Sequence, residues 1–144
     1  MMKGMSDLRT IALYLEACEG IEQAATLKIG RDLLPQELAA MRNAGTLMFL
    51  ESVGMTVDAT EPEDLPQMLV EVGASNEDRR CLYCRDAIAQ IEMQLNRSLT
   101  EAERNCIATA TYATDIMALQ IALNSLPDSN ATLKTFCDLK TEQS

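Results

Sequence analysis

Apolar residues recur along this chain at intervals of three and four, the period of helices that bury one face. Six helical segments follow from that pattern and from end signals in the sequence. The first runs from Ser6, a good N-cap, to Glu19, with Leu8, Ile11, Leu15 and Cys18 on its buried face. Gly20 marks a bend, and helix resumes through Leu27 to Gly30. The second begins at Pro35, a residue suited to a first turn, and ends at Val53. Leu34, Leu38, Met41, Gly45 and Met48 share one of its faces, and Leu47 and Leu50 widen it. Gly54 then serves as a stop, and Thr56 to Glu63 reads as loop. A short strand within Thr46 to Val57 is the alternative there, but it has no evident mate.

Pro66 to Val72 makes a short helix that packs through Leu65, Met68 and Leu69 and is stopped by Gly73. Ser75 or Asn76 caps the next, with Glu77 and Asp78 well placed in its first turn, and it runs to Leu95. Cys81, Cys84, Ile88, Ile91 and Leu95 form the cleanest amphipathic face in the chain. The fifth helix opens on a capping box of Ser98 and Glu101 and continues to Leu126, ahead of Pro127. Ile107, Ala110, Thr114, Met117 and Ile121 form one of its faces, and Tyr112, Ile116, Leu119 and Leu123 an adjacent one. An apolar arc so wide belongs at the centre of a bundle. A final helix covers Asn130 to Leu139, before a flexible tail at 140–144. The expected architecture is therefore all-α: a single-domain bundle, 1–144, of five or six helices around the long fifth one.

Composition narrows the chemistry. The 144 residues suit one domain and include no His and no Trp, with only two Phe and three Tyr. Without His there is no Ser-His-Asp triad, no Cys-His dyad and no histidine metal ligand. The core must be built from Leu, Ile, Met, Ala and Val, which favours helix on helix. The formal net charge is −10. Residues 1–75 carry 12 acids and 5 bases, and residues 76–144 carry 10 and 7. Such a balance argues against direct nucleic-acid binding and against an anionic membrane surface. It suits solubility or a partner with a basic surface, which would prefer the N-terminal half. The five cysteines, odd in number and widely spread, point to reduced thiols in the cytoplasm. The opening MMKGMSDLRT has no apolar run of the kind a signal peptide needs.

One short motif has chemical promise. Cys81-Leu-Tyr-Cys84 lies about one turn into a predicted helix, flanked by Arg79, Arg80 and Arg85. A helix N-terminus and nearby cations acidify thiols, so the pair is a candidate redox couple. Both cysteines also lie on the apolar face with Ile88 and Leu95, where Cys acts as a small hydrophobe. The run from Cys81 to Asp86, with Leu99 to Glu101 at the next helix start, resembles the carboxymuconolactone decarboxylase and alkylhydroperoxidase-like family. That resemblance implies an all-helical fold and a redox role for Cys81 and Cys84 alone. Where the family has its proton-relay His, this chain has Ile88. A zinc site would require Cys106 and either Cys18 or Cys137 to converge on the pair.

Two acidic clusters complete the candidates. Glu16, Glu19 and Glu22 edge the first helix, and Glu61, Glu63 and Asp64 occupy the loop before the third. Each is either a solvated surface or part of a partner-binding face. No Gly-rich phosphate loop is present. The expectation is a small acidic protein that binds another protein, as an inhibitor, an immunity-type antagonist, a chaperone or adaptor, or an anti-defence factor. No cofactor and no metal enter this reading. The alternative is a helical thiol oxidoreductase that uses Cys81 and Cys84.

Overall fold

A computed structural model describes residues 8–143, so Ser6, the expected first cap, lies outside the described residues. Those residues form eight helices and no strand. They are α1 (Leu8–Ile29), α2 (Pro35–Arg42), α3 (Leu47–Ala59), α4 (Leu65–Ser75), α5 (Glu77–Leu95), α6 (Glu101–Ala108), α7 (Ala113–Ser125) and α8 (Ser129–Gln143). The all-α expectation holds. The expected count of five or six does not, because two segments that looked continuous are each broken. Contacts divide the chain into two compact units, Met1–Arg80 and Cys81–Ser144.

In the first unit, α1 is unbroken through Gly20, whose surroundings are open. It packs on α3, and α2 packs on α4. The expected helix from Pro35 to Val53 ends instead at Arg42. Asn43 and Ala44 are buried, Gly45 takes a left-handed φ of 88°, and the Thr46 hydroxyl accepts a hydrogen bond from Phe49 N (3.2 Å) to start α3. The break re-aims the apolar face: Met41 and Leu50 are buried, whereas Leu34 and Met48 are exposed. The Tyr14 hydroxyl holds the connection, donating to Met41 O and accepting from Gly45 N. Lys28 reaches from α1 to donate to the carbonyls of Val57 (2.8 Å) and Asp58 (2.9 Å). A cation there satisfies late carbonyls of α3 and carries that helix past Gly54 to Ala59. Arg79 stacks 3.3 Å over the Phe49 ring, a cation–π contact.

Glu37 is buried, with its side chain 1% exposed. Arg31 donates to both of its oxygens (2.9 and 2.8 Å) and Leu34 N donates to one (2.8 Å). The Arg31 hydrogen bonds hold the Glu37 pKa below the usual carboxylate range. Asn76, also buried, donates from Nδ2 to Ala40 O (2.9 Å) and joins the end of α4 to α2.

In the second unit, Cys84, Ala87 and Ile91 of α5 share a core with Leu99, Ile107, Ile116, Leu119, Leu123 and Leu133. Ile88 and Leu95 pack against it, so the face read between Cys81 and Leu95 is largely the one that turns inward. The long central helix from Ser98 to Leu126 is two helices, broken between Ala108 and Ala113. No Gly or Pro breaks it. Instead the Thr109 hydroxyl donates to Asn105 O (2.8 Å), a local bond that competes with helix propagation. Ala110 and Ala113 are then buried on either side of the turn. The cap also differs: the box is made by Thr100 and Glu103, two residues later than expected. Arg97 makes this register favourable by donating to both Glu103 oxygens (3.0 Å each) and to Asn130 Oδ1 (2.9 Å). The wide apolar arc persists on α7, where Ile116, Met117, Leu119, Gln120 and Leu123 are all buried. Gln120 is satisfied by Tyr83 (2.7 Å) and Gln90 (2.7 Å).

Candidate functional site

On α1 the i, i+3 spacing of Glu16, Glu19 and Glu22 places them along one edge. Glu16 and Glu19 are exposed, and no cation among the described residues pairs with them. Glu22 differs. It is half-buried and accepts from Arg42 at 2.8 and 3.2 Å. The same carboxylate accepts the Cys18 thiol proton (3.3 Å), and burial, reinforced by Glu22, pushes the Cys18 pKa far up. Glu22 is thus tied to α1–α2 packing. Glu61, Glu63 and Asp64 are exposed in the connection from α3 to α4, again without a cation among the described residues. Their backbone is ordered by bonds from Asp64 N and Leu65 N to Glu61 O, each 3.0 Å. These six acids all belong to the first unit.

Cys84 is fully buried in the second unit's apolar core, and Cys81 is half-buried one turn earlier. A thiol so enclosed meets an oxidant only when the core opens. The structure brings together a different pair, which spacing alone did not identify. Cys106 on α6 and Cys137 on α8 are neighbours on two packed helices, and both are half-buried. Burial first, then the neighbouring Cys106, pushes the Cys137 pKa up to about 12. Among the described residues no three His, Cys, Asp or Glu side chains gather as a potential metal site. The second unit also carries an open groove of about 430 Å³ between α7 and α8. Ala118, Leu119 and Ala122 form one wall and Phe136 and Leu139 the other, with Asp115 contributing the charge.

No protein-family model, curated protein or solved structure matches this chain. Among the described residues no helix is long and apolar enough to cross a membrane.

Proposed function

We propose that this protein acts by binding another protein that presents a basic surface. The observation that carries the reading is the pair of acidic clusters in the first unit, where Glu16, Glu19, Glu61, Glu63 and Asp64 are exposed and make no ion pair among the described residues. Elsewhere Glu22, Glu37, Glu92 and Glu103 are neutralised by arginines of the same chain. Exposed acids left unpaired attract a cationic partner and speed its approach. An inhibitor, an immunity-type antagonist, a chaperone or adaptor, and an anti-defence factor all work through such a contact. The thiol-oxidoreductase alternative draws no support from the surroundings of Cys84, which lies within the apolar core.

The test is affinity capture from the native source, with identification of stoichiometric partners, followed by charge reversal. Glu61→Lys, Glu63→Lys and Asp64→Lys together, or Glu16→Lys with Glu19→Lys, are expected to weaken the complex while circular dichroism and thermal midpoint stay close to the parent. A captured partner whose affinity is unchanged by both sets would overturn this reading.

A further inference from the structure

We propose that the outward face of α3 is the docking site for a basic amphipathic helix of the partner protein. This rests on the reading above that the partner is basic, and adds where it docks and in what form. Met48, Ser52, Met55 and Ala59 recur at intervals of four, three and four, so they share one face of α3. That face lies opposite the one through which α3 buries Leu50, Val53 and Val57. Its two methionines are 77% and 72% exposed, and Ser52 and Ala59 are exposed with them. The fold itself gains nothing from two methionines left in water. Methionine is unbranched and polarisable, and moulds itself to an incoming apolar surface. The small side chains of Ser52 and Ala59 leave hollows beside it for the ridge of a second helix. From Met48 to Ala59 the face runs about 17 Å, or about three helical turns.

Charge selects the occupant. Glu51 and Asp58 are exposed along one edge of the face, and Glu61, Glu63 and Asp64 are exposed in the connection that follows α3. None of these carboxylates makes an ion pair among the described residues. Two cations that reach α3 are already engaged: Lys28 donates to the carbonyls of Val57 and Asp58, and Arg79 stacks over Phe49. An apolar strip bordered by carboxylates matches a helix that carries apolar residues on one side and Lys or Arg beside them. Two copies of this chain meeting through α3 would set the same carboxylates against each other, at a cost.

The test uses the full chain and a defined probe, a fluorescent Leu/Lys peptide of about 18 residues (five helical turns) with its leucines at three- and four-residue intervals. Its controls are a peptide of the same composition with the leucines scattered and one with Glu in place of Lys. Fluorescence anisotropy is expected to show the patterned Leu/Lys peptide binding about tenfold more tightly than either control. Met48→Gln with Met55→Gln is expected to weaken that binding about tenfold or more, the scale of two lost apolar contacts. The thermal midpoint should stay close to the parent, because both side chains are exposed. Glu51→Gln with Asp58→Asn is expected to weaken it about threefold, as the loss of two exposed charge contacts does. On the parent itself, bound peptide is expected to slow peroxide oxidation of Met48 and Met55 to the sulfoxide, but not that of Met93, which is exposed on α5. This mass-spectrometric measurement decides even where the methionine variant folds poorly. Equal binding of the scattered peptide, unchanged affinity in a folded methionine variant, or no selective protection of Met48 and Met55 overturns the proposal. So does a parent dimer that the methionine variant dissociates, since a second copy would then occupy the face. A captured partner that responds to reversal of Glu61, Glu63 and Asp64 but not to the methionine variant would keep the basic-partner reading and overturn this one.

Discussion

At Gly73 the backbone of α4 approaches α2 so closely that an added Cβ would lie 2.6 Å from Gln36 O and 3.1 Å from Ala39 Cβ. The sequence suggests a helix stop there, since glycine is a frequent terminator. In the fold the helix continues to Ser75 and the missing side chain is what permits the contact. Gly73→Ala is expected to cost about 1–3 kcal/mol through overpacking, seen as a lower denaturation midpoint; an unchanged midpoint would show that α2 yields freely. Glu103 offers a second test at this scale. The Arg97 hydrogen bonds, aided by the backbone N–H of Thr100, depress its pKa to about 2. A carboxylate depressed on folding contributes fully above its unfolded value of about 4.3. That contribution is lost as pH falls through about 2. The stability gap between the parent and Glu103→Gln should therefore be widest near neutrality and narrow below about pH 4.3. A gap constant down to pH 2 would disconnect Glu103 from the acid response.

Among the elements, the helices with one clean apolar face were legible and the helix ends were not. From Glu77 to Leu95 the spacing of Cys84, Ile91 and their neighbours located both the helix and its inward side. From Pro35 to Val53 the spacing predicts a single helix because Met41, Gly45 and Met48 fall at helical intervals across what is a turn. The local signals for that turn were present: a glycine, followed by a threonine that caps α3. The gap between α6 and α7 had no such glycine, and buried Ala110 and Ala113 keep the apolar period running through it. Two glycine variants separate a turn from a helix interior. Gly45 has φ 88° and Gly20 is helical with open space around its Cα. Gly45→Ala should cost about 1–2 kcal/mol, the penalty of a left-handed residue with a Cβ. Gly20→Ala should stabilise by about 0.5–1 kcal/mol by removing backbone freedom from the unfolded chain. Equal effects in urea titrations would contradict the break at Gly45.

For the molecule as a whole, charge is the property that matters most to the proposed function. A net charge of −10 was legible from composition, but composition does not say which acids are already neutralised. The fold couples Glu22 to Arg42 and Glu37 to Arg31, whereas Glu16, Glu19, Glu61, Glu63 and Asp64 are among the acids of the first unit that stay exposed. Contacts made by exposed charges are screened beyond about 8 Å at physiological ionic strength. Raising sodium chloride well above that level is therefore expected to weaken a captured complex mainly through slower association. A salt-insensitive complex would place recognition on an apolar surface instead, and the groove between α7 and α8 would be the surface to alter next.

The sequence by itself determined the helical class, the inward faces of the well-patterned helices and the acidic balance. Each of those depends on local period or on counting, and neither requires knowledge of distant neighbours. Where the long segments break, which glycines serve contacts, and that Cys84 lies sealed in the second unit's core were settled by tertiary packing. Those outcomes follow from residues far apart in the chain competing for the same buried space and the same hydrogen-bond partners, a competition that no local window of sequence contains.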